Sequence, residues 1–146
     1  MPSTASHIAT LALSIAALGA LLGGCATPPT PRPDTEAIYG IHVEGLRLSA
    51  AGSMLDFRYR VIDPQKAAPL LDGRVKPYLL DEAHAAKLGV PDTPVLGRIR
   101  QTSRNNKIAT DRNYFIMFGN PGKAVHSGDK VTLLLGELKI ADLLVQ

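Results

Sequence analysis

The chain has few of the residues from which catalytic and aromatic binding sites are usually built. It has one cysteine and no tryptophan, and aromatic residues make up only 5% of its 146 residues. A lone cysteine excludes an intramolecular disulfide, so the folded part must be stabilised by the burial of apolar side chains. The scarcity of aromatic rings removes the usual stacking surfaces for sugars and nucleic-acid bases.

Several functional classes are disfavoured in the same way. The sequence has no glycine-rich phosphate-binding loop and no Gly-x-Ser-x-Gly nucleophile motif. The formal net charge is only +3 and is spread along the chain, whereas nucleic-acid-binding proteins cluster their positive charge on one face. We therefore expect no enzymatic activity, no catalytic residues, no cofactor and no nucleic-acid partner.

Residues 8–22 form an apolar segment that leads to the only cysteine. Thr10 and Ser14 alone interrupt it, and it is shorter than the roughly 20 apolar residues of a membrane-spanning helix. Its length suits the apolar core of a secretory signal peptide. The sequence Leu-Gly-Gly-Cys at 22–25 resembles the lipobox of bacterial lipoproteins. This resemblance implies cleavage before Cys25 and attachment of fatty acyl chains, palmitate among them, to the new amino terminus.

The lipobox resemblance also implies a destination for the protein. Cleavage before Cys25 removes 24 of the 146 residues and leaves 122, enough for one domain. Ala26 follows the cysteine in place of the Asp that resembles an inner-membrane retention signal, so we expect an outer-membrane lipoprotein that faces the periplasm. Residues 1–7 contain no Lys or Arg, which departs from the usual signal peptide. The alternative is a secreted protein with an incidental cysteine, or a wrongly chosen start codon.

The mature sequence divides into a linker and a single domain. Residues 25–38 contain the cysteine and a proline-rich stretch, which favours a semi-rigid spacer between membrane and domain. Residues 39–146 show short segments of alternating apolar and polar residues, separated by turn residues every 8 to 12 positions or so. We predict an all-β fold: an antiparallel β-sandwich, immunoglobulin-like, with about seven strands.

The alternation is clearest in residues 54–61, where every second side chain is apolar. An earlier strand changes phase at Gly45, which predicts a β-bulge. Asp63 and Pro64 predict a short helical turn within residues 64–71, capped by Asp63 and stopped by Pro69. Further strands are predicted at residues 76–82, 87–90, 95–101, 131–135 and 138–145, with a central strand at 114–118 and a long loop at 102–113.

Two segments of this domain carry a resemblance to known proteins. Residues 54–64, Met-Leu-Asp-Phe-Arg-Tyr-Arg-Val-Ile-Asp-Pro, and residues 76–82, Lys-Pro-Tyr-Leu-Leu-Asp-Glu, resemble a group of uncharacterised bacterial lipoproteins. The likeness runs from about Tyr39 to the carboxyl terminus. The group has no established activity, so the resemblance implies a fold class and a location but no site residues.

Basic residues provide the candidates for partner binding. Arg104, Lys107 and Arg112 lie in the predicted loop, and long loops on a rigid β scaffold often carry recognition. Arg58 and Arg60 form a stripe on the polar face of a predicted strand. Arginine is enriched in interface hot spots. The alternative is that the stripe is a solvated sheet face and the loop a flexible hairpin tip.

Histidines provide weaker candidates for metal binding. His42, His84 and His126, together with Met54 and Met117, are residue types that suit copper. No two of them lie within four positions of each other, so the spacing predicts no metal site by itself. Met117 lies in an apolar run, and His84 and His126 lie in predicted turns. A methionine in an apolar run ordinarily packs in the core, and a histidine in a turn is ordinarily exposed to solvent.

A pair of adjacent carboxylates, Asp81 and Glu82, completes the candidates. Neighbouring residues of a strand point to opposite faces, so the two cannot share one site, and we expect solvated charges at the end of a hairpin. With no catalytic arrangement, the sequence favours a membrane-anchored, non-enzymatic interaction or accessory module with an envelope protein as partner. The alternative is a periplasmic protein that binds copper or a small ligand.

Overall fold

A computed structural model describes residues 34–103 and 107–146 of the chain. The predicted signal peptide, Cys25, residues 26–33 of the predicted linker and the candidate residue Arg104 lie outside the described residues. Within the described ranges, none of the helices has the length and apolar character needed to cross a membrane.

The described chain begins with a short helix that the sequence analysis placed in the linker. Helix α1, Thr35–Tyr39, is capped by Asp34, whose side chain accepts a hydrogen bond from the Ala37 N–H at 3.0 Å. Gly40 ends the helix with a φ of 64°. A Cβ atom there would lie 2.6 Å from the Asp63 carbonyl oxygen, so this close approach requires glycine.

Nine strands follow, and all pairings between them are antiparallel. They are β1 (Ile41–Ser49), β2 (Met54–Val61), β3 (Tyr78–Asp81), β4 (Ala86–Gly89), β5 (Asp92–Thr93), β6 (Gly97–Arg98), β7 (Asn113–Gly119), β8 (Lys130–Leu135) and β9 (Leu138–Leu144). One sheet has the order β1-β2-β7, a second has the order β4-β3-β8-β9, and β5 and β6 form a separate hairpin. The predicted all-β sandwich is confirmed, whereas the immunoglobulin-like arrangement stays a prediction.

The core lies between the two larger sheets. Leu55, Phe57, Tyr59 and Val61 of β2 are at most 1% exposed, as their alternation predicts. The Tyr59 ring stacks with the rings of both Phe57 and Tyr114, with ring centroids 5.6 Å apart in each pair. Burial of these large side chains is the main favourable contribution to folding, because each removes apolar surface from water.

The predicted bulge in the first strand is confirmed. The register between β1 and β2 shifts between Val43 and Gly45, and Gly45 has a φ of 152°. The shift returns Leu46 to the core face, where it is 1% exposed. The phase slip in the sequence therefore reports a real change of register.

The two sheets meet where β9 ends beside β1. The Gln146 N–H donates to the Leu46 carbonyl oxygen at 3.0 Å, and the Leu48 N–H donates to the Gln146 carbonyl oxygen at 2.9 Å. These bonds pair backbone groups that an edge strand would otherwise leave open on this side of the sandwich.

Strand β7 is the third strand of its sheet and does not lie at its centre. The prediction of a central strand from the apolar run at 114–118 is therefore wrong. Its outer edge is covered by residues 99–101: the Met117 N–H donates to the Ile99 carbonyl oxygen at 2.9 Å, and the Gln101 N–H donates to the Phe115 carbonyl oxygen at 3.1 Å. Of the predicted strand at 95–101, only Gly97–Arg98 is a regular strand. The covering segment places Arg100 opposite Ile116, in the middle of β7.

The helical turn after β2 forms within the predicted residues 64–71, but Pro69 does not stop it. Helix α2, Pro64–Ala67, is capped by Asp63, which accepts from the Gln65 N–H at 2.9 Å. A 3-10 turn, Ala68–Leu71, then continues past Pro69, which lies in its first turn where no N–H donor is needed. Two other 3-10 turns, Ala50–Gly52 and Pro121–Lys123, follow β1 and β7.

Candidate functional site

A wide cleft opens between the start of α2, the segment that covers β7, and the chain that leads into β7. Its volume is about 1040 Å³. The described residues that line it are Pro64, Arg100, Gln101, Thr102, Lys107, Ile108, Ala109, Arg112 and Tyr114. The cleft therefore combines part of the predicted recognition loop with residues that come from two other parts of the chain.

The charge of the lining is of one sign. Arg100, Lys107 and Arg112 are cationic, and the described lining residues include no aspartate or glutamate. Arg112 Nε lies 3.3 Å from Asp111 Oδ1, but both side chains are largely exposed, so this pair is weak. A concave surface with this lining attracts anions, because low-dielectric walls concentrate the field of its charges.

Arg100 is the most buried of the three cations, at 8% exposure. Its guanidinium donates to three backbone carbonyl oxygens: Val75 at 2.8 Å, Leu70 at 2.8 Å and Asp72 at 3.3 Å. The Asp72 carboxylate instead accepts from Arg74, whose guanidinium lowers the pKa of Asp72 to about 2. Burial lowers the pKa of Arg100, yet arginine stays charged in proteins, so this buried charge is compensated by carbonyl dipoles and by the negative charge of Asp72.

Two polar atoms near the Arg100 charge are buried without a partner among the described residues. They are Nε of Arg100 and the hydroxyl oxygen of Tyr59. Burial raises the pKa of the Tyr59 hydroxyl above its ordinary range, and the positive charge of Arg100 acts in the opposite direction. Most buried polar groups in proteins are hydrogen-bonded, so these two unpaired atoms are exceptions in the wall behind the cleft.

Hydrogen bonds from the chain itself fix the cleft walls. The Tyr114 hydroxyl accepts from the Ala109 N–H at 2.8 Å and so holds the loop against the sheet. The Gln101 Oε1 atom accepts from the Phe115 N–H at 3.2 Å, which leaves its amide nitrogen as the remaining donor. Lys107 and Arg112 flank the held segment, and both are exposed.

The predicted partner-binding residues separate into two groups. Lys107 and Arg112 meet at the cleft, whereas Arg104 lies outside the described residues. Arg58 and Arg60 lie on the outer face of β2, where each is paired with a carboxylate: Arg58 Nε with Asp56 Oδ2 at 2.8 Å, and Arg60 Nη2 with Glu44 Oε1 at 3.4 Å. Both arginines of the stripe are thus paired with a carboxylate, whereas Arg112 is paired with the largely exposed Asp111 and Lys107 has no ion pair among the described residues.

A second cluster of functional side chains lies at the turns of the four-stranded sheet. Asp81, His84 and Asp129 each offer one ligand atom, and these atoms lie within 4.8 Å of one another. Asp81 is 1% exposed, so the expectation of a solvated charge is wrong for this residue. The Asp81 carboxylate accepts from the Ala83 N–H at 3.0 Å and lies 2.6 Å from His84 Nδ1, and these contacts compensate its burial. Glu82 is exposed, as expected.

The electrostatics of the cluster favour the charged forms of its groups. Burial by itself would raise the pKa of the Asp81 carboxyl, but hydrogen bonds from the side chain and backbone of His84 and from Ala83 lower it below its usual range. The same hydrogen bond to Asp81 raises the pKa of His84, and the negative charge of Asp129 adds to this effect.

Two of the three candidate histidines reach this cluster. The His126 N–H donates to Asp129 Oδ2 at 2.7 Å, and His126 Nδ1 lies 3.7 Å from the same oxygen. His42 contacts Glu36 instead, at the other sheet. Carboxylate oxygens mixed with imidazole nitrogens suit a divalent metal such as Zn²⁺ or Cu²⁺.

The predicted copper ligands are thus only partly brought together. Met54 and Met117 lie on β2 and β7 of the three-stranded sheet, whereas the cluster lies at turns of the other sheet. The two aspartates were not among the candidate ligands, although each lies three positions from a histidine, Asp81 from His84 and Asp129 from His126, and this spacing could have found them.

Comparison of the chain with protein-family models, with curated proteins and with solved structures gave no match.

Proposed function

We propose that the protein is a bacterial envelope lipoprotein whose β-sandwich is a non-enzymatic interaction module. In this proposal the acylated Cys25 anchors the chain in the outer membrane, and the domain faces the periplasm on a proline-rich spacer. The lipobox resemblance at residues 22–25 supports the anchor. The resemblance of the domain to uncharacterised bacterial lipoproteins agrees with the same location.

One observation carries the interaction part of the proposal: the cleft gathers three cations without a carboxylate among its described lining residues. Arginine and tyrosine, which both line the cleft, are enriched in interface hot spots. Complementary charge on a partner would direct it to the cleft and speed association. The test is crosslinking and affinity capture of the full-length lipidated protein from its own membranes. The wild-type protein is compared with the Lys107→Ala/Arg112→Ala variant.

The anchor predicts that Cys25→Ser releases the protein from the membrane. Each buried methylene contributes about 0.8 kcal/mol, and two or more acyl chains hold a protein stably at a bilayer. We expect the wild-type protein in the membrane fraction with the mass of an acylated amino terminus. The Cys25→Ser protein should appear almost entirely in the soluble fraction.

A matched control is Thr27→Ala, which changes the linker two residues away and should stay in the membrane fraction. Retention of the Cys25→Ser protein in the membrane to the wild-type extent, with an unmodified amino terminus, would contradict the lipid anchor.

A second candidate function is metal binding at the turns of the four-stranded sheet. Asp81, His84 and Asp129 already lie at near-ligating separations, and His126 adjoins Asp129. The open side of His84, which is 49% exposed, would allow a metal to enter from solvent. A protein of this kind would bind a divalent metal in the periplasm. It would be a separate activity from docking at the cleft.

Metal binding predicts that Zn²⁺ or Cu²⁺ raises the melting temperature of the full-length protein. A ligand that binds only the folded state at 100 times its Kd adds about 2.7 kcal/mol to the free energy of unfolding. We expect His84→Ala and Asp129→Asn each to abolish the shift, measured from the melting temperature of each variant without metal. His42→Ala should retain it, since His42 lies outside the cluster. An equal shift in all three variants, or no shift with either metal, would reject the site.

A further inference from the structure

We infer that the cleft recognises an acidic peptide segment of its partner, with two or more carboxylates. This inference rests on the proposed interaction function and names the chemistry of its ligand. It is carried by the charge of the cleft, by its size and lining, and by the amide donor that Gln101 presents in this lining.

The charge of the cleft favours more than one carboxylate. Three cations line it. Among the described residues, Asp111 is paired with Arg112, and the negative charge of Asp72, which is itself paired with Arg74, acts on Arg100. Even if Asp111 is counted in full, the cations of the lining outnumber the carboxylates that face them. The Arg100 side chain is held in place by hydrogen bonds from its guanidinium to three backbone carbonyl oxygens, so it cannot turn toward a carboxylate elsewhere on the surface. Its charge acts on an occupant of the cleft through a low-dielectric wall, where screening by water is weak.

The size and lining of the cleft favour a peptide over a small anion. Its volume of about 1040 Å³ is at the upper end of typical ligand pockets, and a lone carboxylate or phosphate would fill only a small part of it. Pro64, Ile108 and Tyr114 offer apolar contacts between the charged residues. An extended segment that alternates acidic and apolar side chains matches both features of this lining.

The amide donor in this lining matches the acceptor-only chemistry of a carboxylate. The Gln101 carbonyl oxygen is occupied by the Phe115 N–H, so its amide presents the NH₂ group as donor. A carboxylate of the occupant, directly or through a water molecule, would give this amide donor an acceptor.

The test is binding of a fluorescein-labelled octapeptide of alternating Glu and Ala to the full-length protein in neutral detergent, followed by fluorescence anisotropy. We expect Lys107→Ala/Arg112→Ala to weaken binding about tenfold or more, and the matching Gln–Ala peptide to bind as weakly. Arg58→Ala/Arg60→Ala removes the same number of charges from the paired stripe, so it should change the Kd less than about twofold. Binding should also weaken as the salt concentration rises.

Three results would overturn the inference: equal affinity for the Glu and Gln peptides, equal loss in the two double variants, or tighter binding to phosphatidylglycerol-containing vesicles than to the Glu peptide. The last result would assign the cleft to lipid phosphate. Capture of an envelope protein that depends on Lys107 and Arg112, without preference for the Glu peptide, would reject the acidic ligand alone and leave the interaction module standing.

Discussion

Replacing Arg100 with alanine is expected to lower the free energy of unfolding by about 2–4 kcal/mol. The substitution removes the donors to the carbonyl oxygens of Leu70, Asp72 and Val75. A buried acceptor left without a partner costs about 1–3 kcal/mol, and the bond to Leu70 is fully buried. Water that enters from the cleft would satisfy part of this loss, which limits the effect.

Arg98→Ala is the matched control for this prediction. Arg98 donates one hydrogen bond to the same stretch of chain, to the Gly73 carbonyl oxygen at 2.8 Å, and lies 3.6 Å from Asp92. It is more exposed than Arg100, so its loss should cost about 1 kcal/mol or less. Urea denaturation of both variants measures the difference. Equal destabilisation of the two variants would show that Arg100 does not hold the wall of the cleft.

The sequence predicted the fold well because strand periodicity reports burial directly. Leu55, Phe57, Tyr59 and Val61 alternate with polar residues and lie in the core as their period of two requires. The change of phase at Gly45 gave the position of the bulge for the same reason. The alternation and the phase change both depend only on the local sequence, and both are present in the structure.

Properties set by the neighbours of a strand could not be predicted in this way. The apolar run in β7 predicted a central strand, because a continuous apolar run indicates burial on both faces of a strand. The same run does not tell whether the strand lies at the centre of its sheet. Its actual neighbours are β2 and the short segment at 99–101, which come from distant parts of the chain. Helix α1 was missed because the proline-rich stretch before it favoured an extended linker up to residue 38.

The candidate site was predicted only where exposure decides the role of a residue. Lys107 and Arg112 were expected on a recognition loop from its polar composition, and both line the cleft. Arg100 carries no local signal that separates it from Arg98, since both occupy alternate positions of the same segment. Only contact with residues 70–75 buries one and leaves the other more exposed. The burial of Asp81 was missed for a similar reason. Its carboxylate caps the turn that follows its strand, and the pattern of the strand itself does not show this contact.

The largest functional effect is expected from Lys107→Ala/Arg112→Ala in partner capture. Truncation of a hot-spot residue costs 2 kcal/mol or more, so two such losses should reduce recovery of a crosslinked partner about tenfold at the least. The domain should stay folded, because both side chains are exposed and the pair between Arg112 and Asp111 is weak. Unchanged melting temperature of the double variant would check this point.

Arg58→Ala/Arg60→Ala serves as the control for charge. It removes two positive charges, as the cleft variant does, but from a sheet face where Asp56 and Glu44 already pair with them. A general attraction between a basic protein and an acidic partner would weaken equally in both variants. Recognition at the cleft would weaken in one only.

Crosslinking and affinity capture of these full-length proteins from their own membranes tests the central claim most directly. The proposal predicts one stoichiometric envelope partner with the wild-type protein and with Arg58→Ala/Arg60→Ala, and its loss with Lys107→Ala/Arg112→Ala. A partner recovered equally with all three proteins, or no partner with any of them, would contradict an interaction module that binds through this cleft.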